Sequence, residues 1–319
     1  MWFAILSSSQ LKNKPVGLKR LGKDIVLWRD AQKKVNCLED ICVHRKARLS
    51  KGKVVNGSLQ CPFHGFEYNG DGKVTLIPAY GKNYKVEDRF KVKNYYVFEK
   101  FDFIWIWLGE EKPEGEPKFF DDINDSFSFS DYGELWTVPF TRSVENQLDV
   151  MHLPFVHHNT IGKGGKTVVN GPVVKWIDQD KFFFYVFNEK EKGVIAKKPE
   201  ELKIEDSSIY LEFIFPNVWQ NHISENVRVV AFFAPVDKES SIVYIRFYMK
   251  LSGMKFFDSF VSKVGMVFNR IVLHQDKRVV ETEKHNIFDD LLVQGDLPIM
   301  EFRKRIVKNR DLFKDFIPS

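Results

Sequence analysis

Up to about Gly109 the chain alternates short apolar runs with polar turns. The runs Ile25 to Trp28, Val54 to Leu59, Tyr95 to Phe98 and Phe101 to Leu108 are strand-length, and Asn69-Gly70-Asp71-Gly72 is the clearest turn between runs. An all-β region is predicted there. The stretch Gly109 to Lys118, GEEKPEGEPK, is charged, carries two prolines and has no apolar face, so it reads as a linker. The expected domains are 1–112 and 113–319. Beyond the linker, Thr141 to Val156 has helical spacing, and the β-rich runs Lys181 to Phe187, Ile209 to Phe215, Val227 to Pro235 and Ile242 to Leu251 follow. From Lys255 onward, Phe256, Phe260, Val264, Val267, Phe268, Ile271 and Val272 recur at three- and four-residue steps, as on one side of a helix. The second domain is therefore expected to be an antiparallel sheet with helices, and the whole chain α+β. No internal repeat is visible.

Composition narrows the class. At 319 residues, 44% hydrophobic and 29% charged, the chain is long enough for two domains with a sizeable core. Its net charge of +5 is spread along the length without a basic run interleaved with aromatics, so nucleic acid is not an expected partner. No stretch approaches the roughly 18 apolar residues of a membrane span, and Met1 to Gln10 lacks the layout of a secretion signal. A soluble, cytoplasmic protein is the expectation. Three cysteines, Cys37, Cys42 and Cys61, allow at most one disulfide, which excludes a disulfide-held scaffold and leaves thiols for metal.

Two of those thiols belong to a pattern. Cys42-Val43-His44 and, after sixteen residues, Cys61-Pro62-Phe63-His64-Gly65 place one thiolate and one imidazole in each of two short loops. Zinc favours two or four residues between paired ligands, so a single intervening residue fits it poorly. A Rieske centre, in which two thiolates hold one iron of a 2Fe-2S cluster and two imidazoles the other, requires this order of Cys, His, Cys, His. Neutral imidazoles in place of thiolates raise the potential and make the centre a readily reduced relay. Cys37 lies outside the pattern and reads as a core residue.

A second run, Glu145-Asn-Gln-Leu-Asp149-Val-Met-His152-Leu-Pro154-Phe-Val-His157, carries acid and imidazole groups at close spacing. A helix from Glu145 to His152 would stack Glu145, Asp149 and His152 on one face, with Pro154 ending it and His157 folding back towards His152. Two imidazoles and a carboxylate hold iron(II) on one face and leave the other open for oxygen.

With both stretches in view, the chain resembles the Rieske non-haem iron oxygenases, through Cys42 to Arg45, Cys61 to Tyr68 (CPFHGFEY) and the run around His152. Lys46 stands where many relatives carry Gly. The resemblance implies a 2Fe-2S Rieske cluster on Cys42, His44, Cys61 and His64, and a mononuclear iron(II) on His152 and His157. It makes Asp149 the aspartate that bridges the iron site to a cluster-ligating His of a neighbouring subunit. The family's third ligand is a carboxylate on a downstream helix, for which Asp276 in Leu273-His-Gln-Asp276-Lys-Arg is the choice, with Glu281, Glu283 and Asp289 as fallbacks. Further implications are a head-to-tail homotrimer, O2 as substrate, and a separate ferredoxin or flavin reductase as donor, since the chain has no convincing nucleotide-binding fingerprint.

The function so expected is that of a terminal oxygenase that hydroxylates or demethylates a small hydrophobic or aromatic substrate, monooxygenation being preferred to dihydroxylation. The alternative is a non-catalytic Rieske electron-transfer protein, for which the first hundred residues would suffice. The basic loop Arg45, Lys46, Arg48, Lys51 and Lys53 is either a solvated surface or a docking patch for an acidic donor.

Overall fold

A computed structural model describes residues 1–318 except Ser208 and Ser252. The chain divides into two compact units, Met1–Pro117 and Lys118–Ser319.

The first unit is all β. Trp2–Ser7, Phe103–Trp107 and Val97–Lys100 form one antiparallel sheet, and Val16–Arg20, Lys23–Arg29 and Val35–Glu39 form a second. The third sheet is a meander of Lys53–Val55, Ser58–Gln60, Glu67–Tyr68 and Val74–Leu76. Of the runs that read as continuous strands, one is split by a turn and another is shortened by one. Asn56 (φ 50°) and Gly57 (φ 86°) divide Val54 to Leu59 into a hairpin, the Asn-Gly pair tolerating positive φ at both central positions. Phe101 (φ 57°) and Asp102 (φ 54°) likewise form the turn before Phe103, so Phe101 opens no strand. Val26, Trp28, Leu38, Leu49, Leu59 and Tyr68 pack into a core that also encloses Cys42 and Cys61.

The second unit is built on a seven-stranded antiparallel sheet. Its order is Ser128–Trp136, Ser241–Met249, Val227–Pro235, Val218–Ser224, Ile209–Ile214, Lys181–Glu189 and Val168–Trp176. Helix α1 (Phe140–Leu148), the single-turn α2 (Leu153–Val156), α3 (Lys255–Val280), α4 (Leu297–Lys308) and the short α5 (Arg310–Phe313) complete it. The architecture is α+β, with the all-β part first.

Around α1 the chain departs from the expected helix. It ends at Leu148, Asp149 turns extended (φ −74°, ψ 127°), and Asp149 Oδ1 accepts the Met151 N–H at 2.5 Å. That local carboxylate bond offers the backbone an alternative to the next helical turn. Pro154 consequently sits in the first turn of α2 rather than terminating α1, in a position where its missing N–H costs nothing. Glu145 is drawn away from the site: buried, it is clamped by Arg303 (2.7 and 3.0 Å) and Arg142 (3.1 Å). Phe140 packs edge-on against Phe302 and Phe313, so the start of α1 is fixed to α4 and α5. Truncating such a buried ring to Ala costs about 3–5 kcal/mol.

Candidate metal centres

In the first unit the two Cys-His loops are near copies of one another. Cys42 N–H donates to Ala47 O and Lys46 N–H to Cys42 O, at 2.8 and 3.0 Å; Cys61 N–H donates to Phe66 O and Gly65 N–H to Cys61 O, at 2.8 and 3.2 Å. Lys46 (φ 59°) and Gly65 (φ 73°) close the two turns in the left-handed region. Both thiols are buried, at 2% exposure each, whereas His44 and His64 lie at the surface with ring centroids 4.6 Å apart. Burial pushes the Cys61 thiol up, against backbone N–H groups of Phe63 and His64 that favour the thiolate. Tyr68 adds a hydroxyl that donates to Cys42 Sγ at 3.1 Å and accepts the Val43 N–H at 3.0 Å. Two enclosed sulfurs with N–H and O–H donors, beside two imidazoles that face each other, fit a cluster with one sulfur-held and one nitrogen-held iron. Cys37 is buried elsewhere in the unit and burial holds its thiol protonated.

In the second unit His152, His157 and Asp276 converge: one donor atom from each lies within 4.8 Å of the others. His157 Nε2 is 2.8 Å and His152 Nε2 3.5 Å from Asp276 Oδ1. Asp276 is brought there by α3, whose buried side it shares with Leu273 and Val280. His157 Nδ1 lies 2.9 Å from Gln275 Oε1, which also accepts from Thr160 Oγ1 at 2.8 Å. An amide oxygen at Nδ1 takes a proton there, so Nε2, the nitrogen that faces Asp276, is the one that would ligate a metal. His152 Nδ1 stands 3.4 Å from Asp149 Oδ2, an ion-pair distance but outside a well-formed hydrogen bond. Burial alone would lower the His152 pKa, yet the carboxylates of Asp149 and Asp276 outweigh it and the shift is upward. Two imidazole nitrogens converging on one carboxylate oxygen in a buried setting fit a divalent cation, which would take the place of the protons there.

The fallback acids are used elsewhere. Glu281 Oε1 accepts from Thr137 N–H at 2.8 Å, Asp289 accepts from Asn286, and Glu283 lies 3.4 Å from Arg142. Sequence reasoning missed Tyr68, Gln275 and the amide pair Asn146 and Gln147, whose nitrogens approach Asp276 at 3.3 and 3.4 Å.

A cavity of about 900 Å³ opens onto this cluster, walled by side chains such as Phe184, Leu211, Trp219, Val229, Ile245 and Phe247. Asn188 Oδ1 and Trp219 Nε1 are buried in its lining residues with no hydrogen-bond partner among the described residues. The wall is mostly apolar, with Lys163, Lys166, Glu189 and Lys197 among its charged members.

Comparison with known proteins places both parts of the chain in described families. Residues 1–96 match the Rieske [2Fe-2S] domain, and residues 136–311 match the vanillate O-demethylase oxygenase C-terminal domain. Methylxanthine N1-demethylase NdmA of Pseudomonas putida is 26% identical over 308 residues, covering 94% of this chain and 84% of that protein. Dicamba O-demethylase oxygenase component of Stenotrophomonas maltophilia is 32% identical over 160 residues, 49% of this chain and 46% of the relative. The chloroplastic TIC 55 proteins of Pisum sativum and Arabidopsis thaliana are 32% and 28% identical over 50% and 69% of this chain, but the match spans only 30% and 40% of their own length. In fold, the Pseudomonas putida CBB5 NdmA structure superposes with a TM-score of 0.77 at 22% identity, covering 99% of this chain and 94% of that one. The family of the C-terminal match extends over more than half of the chain and lies C-terminal to a Rieske domain; the protein belongs to the Rieske non-haem iron oxygenases, whose members carry a 2Fe-2S cluster and a mononuclear iron site.

Proposed function

We propose that the protein is a terminal oxygenase component that inserts one atom of O2 into a hydrophobic organic substrate, or demethylates it, with two electrons from a separate ferredoxin or flavin reductase. The overall balance consumes substrate, O2, two electrons and two protons, and yields hydroxylated substrate and water; where the hydroxylated carbon is an O- or N-methyl group, it leaves as formaldehyde and the heteroatom keeps the proton. The observation that carries this reading is the convergence of His152, His157 and Asp276 at the floor of a large apolar cavity. When bound, iron at these residues supplies the site of oxygen activation and the Rieske cluster supplies an electron to it.

The chain's own residues have definable tasks in this reading. Cys42, Cys61, His44 and His64 hold the cluster, while Tyr68 stabilises charge on the Cys42 sulfur. Gln275 fixes the His157 tautomer. The apolar part of the wall, with Phe184, Leu211, Val229 and Ile245, excludes water and orients substrate. Relatives named as demethylases in the comparisons favour monooxygenation chemistry over dihydroxylation.

Asp149 is a positioning residue here. Its carboxylate faces His152 Nδ1, and in a homotrimer it would also meet His44 or His64 of a neighbouring copy, joining the two iron sites. Arg45, Lys51 and Lys53, exposed beside the cluster loops, suit an acidic donor. The test is Asp149→Ala, measured for cluster absorbance, iron content and substrate-coupled oxygen uptake. Intact centres with coupled uptake lost support the reading; full coupled uptake contradicts it.

A further inference from the structure

The apolar stripe of α3 faces the wrong way for a core helix. Phe256, Phe260, Val264 and Val267 are 89%, 61%, 58% and 60% exposed, whereas Asp258 and Ser262, on the opposite side of the same turns, are fully buried at 0%. Ile271 continues the stripe at 51% exposure. The sheet strands Ser128–Trp136 and Ser241–Met249 take the other side of the helix. A contiguous outward stripe of aromatic and branched side chains, over four turns, exceeds the scattered apolar exposure ordinary on a protein surface.

Charge says what would cover it. From Lys250 to Leu273 the only carboxylate is the buried Asp258, while Lys250, Lys255, Lys263 and Arg270 are all exposed. A two-fold contact between copies of this helix would set like charges against each other. Apolar anchors bracketed by cations suit the headgroup boundary of a bilayer that contains anionic lipid. The helix, 26 residues long, is not apolar enough to cross a membrane, so it would lie in the plane of the surface.

The stripe also adjoins the cavity. Phe268, on its edge and 47% exposed, lines the cavity together with Gly265 and Asn269 of α3. The facing loop contributes Ile161, 51% exposed, with Lys163 and Lys166, to the same lining. We propose that α3 and this loop dock the protein on an anionic membrane surface, with the cavity mouth at the lipid boundary. Resting on the oxygenase reading, a second consequence is that the substrate is a lipophile that partitions into bilayers and enters from there.

Co-sedimentation of the full chain with phosphatidylcholine–phosphatidylglycerol vesicles tests docking without reference to activity. The wild type is expected to bind these vesicles, to bind pure phosphatidylcholine vesicles about ten-fold less, and to lose affinity in high salt. Phe256→Ser, Phe260→Ser and Val267→Ser together should reduce binding at least about ten-fold. Their circular dichroism and cluster absorbance should be unchanged, because these side chains leave the core intact. Lys255→Glu with Lys263→Glu should abolish the preference for phosphatidylglycerol. Failure of the wild type to sediment with anionic vesicles overturns the proposal, as does undiminished binding by the triple serine variant. A lipid-free assembly that falls to a smaller species in the triple variant also overturns it, assigning the stripe to contacts between copies. Vesicle binding by a protein that retains no mononuclear iron would leave docking standing and remove the oxygenase reading.

Discussion

Lys46 and Gly65 occupy the same place in two matching loops, each closing a turn onto its cysteine carbonyl with φ of 59° and 73°. Glycine adopts that conformation freely, whereas a side chain with a Cβ is strained there by about 1–2 kcal/mol. A Gly65→Ala change meets both this strain and Pro78 Cγ at 3.0 Å from the new Cβ.

Lys46→Gly should therefore stabilise the cluster-loaded protein, by up to about 1 kcal/mol once the added freedom of the unfolded chain is subtracted. Gly65→Ala should destabilise it by at least a comparable amount. Denaturant unfolding followed at the cluster absorbance reads both. A Lys46→Gly variant less stable than wild type would show that the lysine side chain, rather than its backbone angle, is what matters at this position.

The Tyr68 hydroxyl donates to Cys42 Sγ, and such a bond favours the more negative, reduced cluster. Tyr68→Phe should lower the reduction potential. A hydrogen bond to a charged acceptor is worth about 1.5 kcal/mol, which for one electron is roughly 60 mV. Potentiometric titration gives the value directly, and an unchanged midpoint would mean the hydroxyl serves only the Val43 N–H.

Much of this was legible in the sequence because the chemistry sits in short spacings. Cys42 and His44, or Cys61 and His64, share one loop, so their pairing needs no knowledge of the fold. Asp276 could be placed on a helix from periodicity alone, though only the resemblance pointed to it among several acids. Long-range partners left no local mark: Tyr68 reaches Cys42 across 26 positions and Gln275 reaches His157 across 118. The end of α1 was misread because the Asp149 bond to Met151 N–H competes with the helix, and a spacing rule does not contain that competition. The α3 stripe shows a further limit. Periodicity gathers Phe256, Phe260, Val264 and Val267 on one side without saying whether that side meets the sheet, and here Asp258 and Ser262 take the inner side instead.

Gln275 holds the proton on His157 Nδ1, so its loss should loosen the iron site without touching a ligand. Gln275→Ala is expected to weaken iron(II) retention about ten- to hundred-fold, as removal of an outer partner of a metal-bound His commonly does. Competition with a chromogenic chelator under anaerobic conditions measures this, with the cluster absorbance as an internal control. Retention equal to wild type would show that Thr160 and the surrounding packing suffice to orient the ring.

The assignment of two separate iron sites in one chain is tested most directly by anaerobic iron and acid-labile sulfide content per chain, with EPR of the dithionite-reduced protein, for wild type and His152→Ala. About three irons and two sulfides with a Rieske signal are expected, and loss of about one iron in the variant with the signal intact. About two irons in both proteins after reconstitution with iron(II), and the same Rieske signal, would contradict it and leave an electron-transfer protein.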